Sequence, residues 1–430
     1  MAIVNKLKEN KELIIPIVLS ILLVIIFIIF IVINSKRDKK EGCFGGKRIP
    51  DCLKVYDKYP KVTFDKLNVY EILTNPQGIN YRLKDFYIAS SYMSSYPCGH
   101  TKDLVSYDNI KKVLEKGARF LYFDVYFMPG ENFNQNFYSS NAKIIVQSVI
   151  DGKRNVLTNC GKKNQYLLLD DVFKLLKNNA WKGKEDYPLL VYLNILLPPL
   201  QSFEYGIFES INNHLKDRLL NPIYSFQNKN IADAPLKDLL GKVVILTNRK
   251  PINANLNEFV NGVINNETAN AYRYDMNKKI IDSGGVRNLF VNLEGGINKC
   301  KNTLYMVVTE STPNEKNVFS PKIDIKNDEP KEAFDFGIQI FCMNYQIYGE
   351  NMKAYLTTEL NPEEFKGKTF ANSGFIRKPA NMISLPKPPP EIYKQNPALG
   401  LTNPAVVSSS SYAPVKGGIP WTTGNLSNAP

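Results

Sequence analysis

Histidine is scarce in this chain of 430 residues, which has only His100 and His214. Because histidine is the side chain that ordinarily titrates nearest neutral pH, this scarcity limits the usual acid–base catalysis. The six cysteines form no Cys-x-x-Cys pair, which excludes the common zinc-site spacing and favours a reducing compartment. Neither a Gly-x-Gly-x-x-Gly segment nor a P-loop is present, so the fingerprints of dinucleotide and nucleoside triphosphate binding are missing.

The chain is basic, with a formal net charge of +13, which favours anionic partners such as lipid headgroups or nucleic acid. An apolar run without charged residues extends from Leu13 to Ile33. At about 1.5 Å per residue it is long enough to cross a bilayer core of about 30 Å, whereas the apolar region of a cleaved signal peptide is shorter. The sequence therefore predicts a single-pass membrane protein. Nucleic acid is not an expected partner, because no aromatic–basic motif accompanies the charge.

Basic residues flank the apolar run on both sides, with an excess after it at Lys36, Arg37, Lys39 and Lys40. This excess predicts that the large carboxy-terminal part lies on the cytoplasmic or virion-interior side. The same cluster would be attracted to anionic lipid at roughly 1 kcal/mol per residue, although a plain stop-transfer flank looks alike. The Lys-, Asn- and Ile-rich usage is typical of an AT-rich genome, such as that of a large DNA virus or a protist.

Composition and pattern divide the chain into segments with different character. We predict a short flank at 1–12, a transmembrane helix at 13–33, a basic juxtamembrane stalk at 34–81, two halves of one folded domain at 82–251 and 303–385 with a connector at 252–302, and a tail at 386–430. The tail is rich in Pro, Ser and Asn, so we expect it to be disordered. Its Pro386-Lys387-Pro388-Pro389 segment fits the loose spacing bound by SH3-type adaptors.

Short apolar runs of strand length alternate with amphipathic helical patterns through the folded domain. The predicted strands are 86–89, 120–126, 143–149, 189–195, 243–247, 305–308 and 337–345, and the predicted helices are 108–116, 169–178 and 208–220. Alternating strands and helices over this length predict an α/β fold, a (β/α)8 TIM barrel rather than an open sheet.

Three clusters near the end of the domain have a recognisable spacing. Phe334-Asp335-Phe336-Gly337-Ile338-Gln339 is followed by Met343-Asn344-Tyr345-Gln346 and then by Gly374-Phe375-Ile376-Arg377-Lys378-Pro379. Earlier segments add to the pattern: Ile88-Ala89-Ser90-Ser91, Gly117-Ala118-Arg119-Phe120 and Leu240-Gly241-Lys242-Val243. Together these segments resemble the X and Y boxes of phosphoinositide-specific phospholipase C. The resemblance implies that family's distorted TIM barrel over residues 86–379.

The positions that the resemblance assigns to catalysis carry other residues. The family places one histidine after Ser-Ser and a second after strand 3, and these positions hold Tyr92 and either Gln147 or Ser148. Neither replacement titrates near pH 7. His100 is the fallback for an acid or base, although a solvated loop residue is the simpler interpretation. His214 fits a helix surface.

The calcium positions of the family correspond to Met93, Tyr122, Asp124 and Asn194. Calcium takes six to eight oxygen ligands, several of them carboxylate, and only one carboxylate remains here. We therefore expect no cofactor, the calcium site having been lost. Asp124 also fits a structural role, capping a loop or pairing with Arg119 or a lysine.

Headgroup binding by the family uses cations after the strand that follows Gly241-Lys242, and Arg249, Lys250 and Lys322 are the candidates for anion contacts. We therefore predict a membrane-anchored phospholipase C-like pseudoenzyme that binds anionic or phosphoinositide headgroups or acts as a membrane scaffold. Two alternatives remain at this point. One is a metal-independent phosphodiesterase that uses His100 with Arg249, and the other is a structural virion or envelope protein.

Overall fold

The computed structural model describes residues 22–25, 52–64, 78, 80–97, 105–128, 143–146, 149–150, 153–154, 166–184, 186–196, 199–264, 271–275, 293–308, 327–364 and 366–384. Residues 22–25 are helical, and the remainder of the predicted anchor lies outside these ranges, as does the predicted tail at 386–430. Within the ranges described, no helix has both the length and the apolar character needed to span a bilayer.

The strands are β1 Phe86–Ser91, β2 Phe120–Met128, β3 Lys143–Val146, β4 Val149–Ile150, β5 Lys153–Arg154, β6 Leu167–Leu168, β7 Leu189–Ile195, β8 Val243–Thr247, β9 Val260–Val263, β10 Ala271–Asp275, β11 Leu304–Val308, β12 Ile340–Met343 and β13 Phe375–Arg377. The helices are α1 Tyr107–Glu115, α2 Leu169–Asn179, α3 Gln201–Leu215, α4 Ala254–Phe259, α5 Leu293–Asn302, α6 Lys331–Asp335 and α7 Glu350–Thr357.

Eight strands form a curled sheet in the order β10-β11-β12-β1-β2-β7-β8-β9, with parallel pairing at every step. Because β12 pairs with β1, the sheet curls back to its first strand, and the described strands leave a break only between β9 and β10. Three antiparallel strands extend it: β13 pairs with β1, β3 pairs with β2, and β6 pairs with β3. The fold is a mixed α/β half-barrel that agrees with the predicted TIM barrel.

The predicted strands at 189–195 and 243–247 match β7 and β8 residue for residue. The sequence did not indicate β9 as a strand, because Asn261 and Gly262 interrupt its short apolar run. The predicted helix at 208–220 instead begins at Gln201 and ends at Leu215. Gly206 and the polar residues of its first turn had concealed that start.

Two apolar cores lie on opposite faces of the curled sheet. Along β7, Leu190 and Tyr192 belong to the core inside the curl, whereas Val191 and Leu193 belong to the core between sheet and helices. All residues of β7 are buried, as expected for a parallel strand covered on both faces. The sequence of β7 is therefore a continuous apolar run, without alternating polar residues.

The end of the sheet at which the parallel strands finish is called the rim, and the end at which they begin is called the floor. The chain between α3 and β8 crosses the floor and pairs there with the segment that leads into β1. The Leu83 amide donates to the Ala234 carbonyl at 2.9 Å, and the Leu236 amide donates to the Tyr81 carbonyl at 2.9 Å. The inner core is thereby closed at the floor.

Gln339, from the first of the three clusters of the resemblance, joins three elements at the floor. Its Nε2 donates to the carbonyls of Lys84 at 3.1 Å, Cys300 at 2.7 Å and Thr303 at 3.2 Å. Its Oε1 accepts from the Tyr305 amide at 2.9 Å. Since the side chain is fully buried, these backbone groups depend on it for hydrogen bonding.

Arg119 and Gly374 also meet near the floor. The fully buried Arg119 donates from Nε to the Ala118 carbonyl and from Nη1 to the Ala180 carbonyl, each at 2.8 Å. Burial lowers the pKa of this guanidinium to about 10. A Cβ on Gly374 would lie 2.3 Å from Arg119 Cγ, so the arginine requires a glycine at that position. The segments of the resemblance that contain Arg119 and Gly374, which are far apart in sequence, therefore pack directly against each other.

Part of the predicted stalk, residues 52–64, packs against the barrel, and this segment is called the strap. Tyr56 donates to Asn109 Oδ1 at 2.8 Å and Tyr59 donates to the Tyr345 carbonyl at 2.5 Å, both near the rim. Further along, the Phe64 ring lies 4.8 Å from the Tyr187 ring, near the floor. The strap therefore runs down the outside of the barrel from rim to floor, held by aromatic residues whose spacing gave no periodic signal.

Cys52, at the start of the strap, is disulfide-bonded, whereas Cys300 and Cys342 are free and buried. The scattered cysteine positions had favoured a reducing compartment. Disulfides persist mainly in oxidising compartments.

Candidate functional site

The predicted site positions on β1, β2 and β7 come together at the rim. β1 pairs with β2 and β2 pairs with β7, and the carboxyl ends of these parallel strands lie side by side. The positions brought together are Tyr92, Met93, Tyr122, Asp124 and Asn194. The predicted residues that lie outside the described ranges are His100, Gln147, Ser148 and Lys322.

Three buried tyrosines fill the inside of the barrel below the rim, and we call Tyr92, Tyr122 and Tyr192 the tyrosine cluster. The Tyr92 and Tyr122 ring centroids are 4.8 Å apart at an interplanar angle of 64°, and those of Tyr122 and Tyr192 are 5.1 Å apart. Edge-to-face and tilted contacts at these separations are favourable for aromatic pairs. The two replaced positions therefore pack as part of the inner core.

Sequence reasoning missed Tyr192. The signal was available, because Tyr192 precedes Asn194 by two residues on β7 and therefore points to the same side of the sheet. Its register partner on β2 is Tyr122. The Tyr192 hydroxyl donates to the Ile264 carbonyl at 3.2 Å, which connects the cluster to the chain that follows β9.

Asp124 and Asn194 form a polar pair above the tyrosines. They are register partners on β2 and β7, and Asn194 Nδ2 donates to Asp124 Oδ1 at 2.7 Å. Both side chains are at most 9 % exposed. The expected pairing of Asp124 with Arg119 is wrong, since Arg119 lies near the floor and bonds to backbone carbonyls there.

Met93 has a left-handed backbone, with φ at 42°. Outside glycine, this conformation is adopted most readily by asparagine and aspartate. The resemblance places an asparagine at this position. The loop therefore has a backbone suited to asparagine while carrying a side chain without metal-ligating oxygen.

The residues at the rim do not fit a calcium ion. Asp124 is the one carboxylate among the predicted positions, and its Oδ1 is already an acceptor for Asn194. Across the described ranges, no group of three or more His, Cys, Asp and Glu side chains is placed to hold a metal. Six to eight oxygens, which calcium requires, are not supplied by Met93, Tyr122, Asp124 and Asn194.

The predicted anion contact Arg249 has an internal carboxylate partner. Arg249 Nη1 lies 2.7 Å from Glu204 Oε1, and the Glu204 side chain is fully buried. Glu204 Oε2 also accepts from the amides of Ile252 at 2.5 Å and Asn253 at 2.8 Å. Arg249 thus neutralises a buried carboxylate that orders the loop after β8. The neighbouring Lys250 is exposed.

His214 lies near the end of α3, and its Nε2 is 2.8 Å from Asp170 Oδ2. Its side chain is largely buried rather than on an open helix surface, because α2 and α3 pack together at this point. The pair lies outside the barrel interior, away from the tyrosine cluster. Of the two histidines in the chain, this one is not part of the candidate site.

Comparisons with known proteins address the fold. No protein-family model matches the chain, and no curated protein matches it. Among solved structures, PLC21 from L. pealei aligns with a TM-score of 0.50 and 16% identity over 73% of this chain and 39% of that one. PLC21 from S. officinalis aligns with a TM-score of 0.49 and 17% identity over 71% of this chain and 38% of that one.

A smaller bacterial enzyme, the phosphatidylinositol-specific phospholipase C from Listeria monocytogenes, aligns with a TM-score of 0.37 and 16% identity. That alignment covers 70% of this chain and 95% of the bacterial one. This chain spans about two fifths of the length of the PLC21 proteins. At these identities the comparisons concern architecture, and the alignment with PLC21 from L. pealei shows a phospholipase C-like fold.

Proposed function

We propose that this protein is a membrane-anchored phospholipase C-like pseudoenzyme that binds anionic or phosphoinositide headgroups at the membrane surface or acts there as a scaffold. The observation that carries the proposal is the tyrosine cluster, whose buried rings lie 4.8 and 5.1 Å apart and include two positions that the resemblance assigns to catalysis and calcium binding. A phosphodiester would have to displace these rings to reach the inside of the barrel. The hydrogen-bonded Asp124 and Asn194 pair supports the same conclusion.

The loss expected from these replacements is large. Removing one positioned acid or base typically slows a reaction by about a hundredfold to ten-thousandfold. This chain has tyrosine rather than histidine at position 92, and its described residues include no group of acidic, histidine or cysteine side chains placed to hold a metal. No group at the rim among the described residues offers an equivalent pair of acid and base. Binding, which needs only complementary charge, is less demanding than turnover.

Anionic lipid is the proposed partner because of charge. The chain has a net charge of +13, and Lys250 is exposed on the rim loop after β8. Arg249 contributes to this partner less directly, since it holds Glu204. The predicted anchor at 13–33 would keep the barrel close to a lipid surface, where weak contacts suffice. The tail at 386–430 remains the proposed adaptor segment.

Turnover tests the pseudoenzyme proposal. The full chain is purified in detergent and incubated with phosphatidylinositol, with and without calcium, and released inositol phosphates are measured. We expect no release above background under either condition, and none after His100→Ala. Calcium-independent release that is abolished by His100→Ala would establish the metal-independent phosphodiesterase instead.

Headgroup binding is tested separately by thermal unfolding of the full chain in the presence of soluble inositol phosphates. Binding to the folded state raises the unfolding temperature by mass action. We expect an increase that Lys250→Ala reduces and that Lys237→Ala, at an exposed lysine near the floor, leaves unchanged. The absence of any ligand-dependent shift would favour the structural virion or envelope protein over a headgroup-binding module.

The side of the membrane is a separate part of the proposal. The basic flank after the anchor favours the cytoplasmic or virion-interior side. The disulfide at Cys52 favours an oxidising side. Labelling intact cells or virions with a membrane-impermeant maleimide, before and after reduction, distinguishes the two. Labelling that requires permeabilisation supports the interior position, and labelling of intact particles after reduction contradicts it.

A further inference from the structure

The lower end of the strap, at the floor, covers two positive charges of the barrel. The centroid of the Phe64 ring lies 4.6 Å from Lys184 Nζ and 6.0 Å from Arg119 Cζ. Lys184 lies on the turn between α2 and β7, and Arg119 directly precedes β2. Charges from two parts of the barrel therefore lie beneath one aromatic ring that belongs to a separate segment.

This end of the strap fits closely against the turn that follows α1. Gly117 in that turn has a φ of 97°, and a Cβ there would lie 3.2 Å from Phe64 Cζ and 3.5 Å from Val62 Cγ1. The Phe64 ring also contacts the Tyr187 ring, since their centroids are 4.8 Å apart. The strap therefore occupies a shaped site, and Lys184 is partly buried beneath it.

Backbone carbonyls, which carry no net charge, accept the hydrogen bonds of these two cations. Lys184 Nζ donates to the Leu114 carbonyl at 2.5 Å, and Arg119 Nη1 donates to the Ala180 carbonyl at 2.8 Å, each at the end of a helix. The end of a helix carries only part of a negative charge. Within the described part of the chain, Arg119 Nη2 is buried without a hydrogen-bond partner. The two positive charges are therefore only partly compensated.

The charged groups around Lys184 offer little compensation. Glu115, at the end of α1, has the opposite charge, but it is 58% exposed and pairs with Lys112 at 2.9 Å. Arg119 has the same charge as Lys184. The other described titratable residues of the turn and of this end of the strap are the buried Tyr187 and the exposed Lys61, Lys182 and Asp186.

Covering Lys184 and protonating it oppose each other. Burial, followed by the charge of Arg119, lowers the pKa of Lys184 from 10.5 to about 7, and Glu115 opposes this change. The Phe64 ring also attracts the charged amine, since a cation is favourable over an aromatic face at this distance. Because the pKa is lowered, removal from water outweighs this attraction. The covered state therefore favours the neutral amine, and by linkage the neutral amine favours the covered state.

We propose that the floor end of the strap is a latch that is closed when Lys184 is neutral and loosens when Lys184 takes up a proton. The rim end is held separately through Tyr56 and Tyr59, so loosening would free only the segment around Phe64. Opening would expose Arg119 and Lys184 together. The inference concerns the strap alone and does not depend on lipid binding.

The pH range of the latch follows from the two states of Lys184. Uncovering the amine would return its pKa toward the ordinary value of 10.5, so the open state holds the proton more tightly. The latch should be tightest at high pH and loosen as the pH falls toward 7, below which Lys184 is charged in both states. A pKa difference of one between open and closed states changes their ratio by about tenfold.

Competitive labelling of lysines with trace acetic anhydride, followed by peptide mass spectrometry, measures the titration of Lys184 in the full chain. We expect Phe64→Ala, which removes the covering ring, to move the midpoint of Lys184 labelling upward by about one pH unit or more. Phe208→Ala removes another partly buried ring, on α3 and away from the strap, and should leave the midpoint unchanged. A midpoint that stays in place or falls in Phe64→Ala would overturn the proposal, because the ring would then not oppose the charge.

Trypsin cleavage after Lys61 measures the open population of the strap directly. The same bond in a short peptide of the strap sequence corrects for the pH dependence of the protease. When opening and closing are fast, cleavage follows the open fraction, and we expect it to be about tenfold faster at about pH 7 than at about pH 9. Lys184→Met should make cleavage slow and independent of pH, whereas Lys182→Met, at an exposed lysine of the same turn, should keep the dependence.

A pH dependence of cleavage that survives Lys184→Met would also overturn the proposal, because another group would then control the strap. Equal corrected rates at the two pH values in the original chain would have the same meaning. Both experiments are performed in detergent without phosphoinositide. Their failure would leave the proposed headgroup binding intact, and a protein that binds no headgroup could still have the latch.

Discussion

The floor and the rim of the barrel differ in what they retain from the resemblance. At the floor lie Gln339 and Arg119, which are held by buried hydrogen bonds to backbone carbonyls, and Gly374, where a Cβ would clash with Arg119. At the rim, Tyr92 and Tyr122 stand at reactive positions and pack as core. The segments of the resemblance that lie at the floor build the fold, whereas the positions that the resemblance assigns to catalysis pack as core at the rim.

This difference indicates that the segments that match the motifs do so because of the structural role of their residues. Gln339 joins β11, β12, α5 and the lead into β1, so its loss would disturb several elements at once. A histidine at the position of Tyr92 would act only on a bound substrate. Tyrosine at the same position adds apolar burial to the inner core. The residues that stabilise the barrel are therefore different from those that catalysis would require.

The largest effect is expected at Gln339. Gln339→Met keeps the volume but leaves the Lys84 and Thr303 carbonyls and the Tyr305 amide without this partner, so we expect a loss of about 4 kcal/mol in the free energy of unfolding. The rim glutamine is a matched control. Within the described part of the chain, the Gln346 side chain makes one hydrogen bond, from Nε2 to Asn344 Oδ1 at 3.2 Å, and Gln346→Met should cost about 1 kcal/mol. If urea unfolding showed equal losses in the free energy of unfolding for the two variants, the proposed difference between floor and rim would be wrong.

The next effect concerns Gly374. Gly374→Ala places a Cβ 2.3 Å from Arg119 Cγ and forces a buried guanidinium to move, and we expect destabilisation of about 3 kcal/mol. At Gly349 a Cβ would meet no atom within 4 Å, so Gly349→Ala should change stability by less than about 1 kcal/mol. Thermal unfolding of both variants measures the difference. If Gly374→Ala did not lower the stability, the Arg119 side chain would have an alternative conformation that accommodates the Cβ.

A smaller effect, dependent on pH, is expected at Lys184 near the floor. Burial lowers the pKa of Lys184 from 10.5 to about 7, helped by the charge of Arg119. Between these values the unfolded chain holds a proton that the folded barrel has released, so the free energy of unfolding should rise as the pH increases through this window. Lys184→Met should reduce that rise, whereas Lys182→Met, at an exposed lysine two residues earlier, should not.

Urea unfolding at a series of pH values measures the slope. Some rise should persist in Lys184→Met above about pH 8, because burial also lowers the pKa of Lys378 to about 8. A wild-type slope that survives Lys184→Met unchanged from pH 7 upward would mean that Lys184 titrates at its ordinary pKa.

The smallest effect is expected at the rim. The double substitution Tyr92→His with Met93→Asn restores two residue types that the family uses, and asparagine suits the left-handed backbone at 93. We expect stability within about 1 kcal/mol of the original and no hydrolysis of phosphatidylinositol, because Tyr122 and Asn194 still supply no carboxylate. Measurable turnover by this variant would show that the rim lacks only these two side chains.

Much of the barrel could be predicted from sequence, because buried parallel strands are continuous apolar runs bounded by turns. β7 and β8 were predicted to the residue, whereas β9 was missed where Asn261 and Gly262 replace apolar residues. Asn261 is nevertheless buried, since its Oδ1 accepts from the Ile245 amide and its Nδ2 donates to the Tyr224 carbonyl. Such a role depends on tertiary partners and leaves no local pattern.

The sequence was sufficient to locate the candidate site but not to identify all of its residues. The register of β1, β2 and β7 brought the predicted positions together, as expected for neighbouring parallel strands. Tyr192 was missed because nothing in the resemblance marks its position. The pairing of Arg249 with Glu204 was also missed, since the two residues come from different elements.

The strap also determines how mechanical force would enter the protein. Tyr56, Tyr59 and Phe64 attach it at successive heights from rim to floor. Tension on the chain before Cys52 would act along this row of contacts, so they would be sheared together instead of being peeled apart one by one. The strap would then act as a stiff connection, which transmits tension on the preceding chain directly to the folded domain.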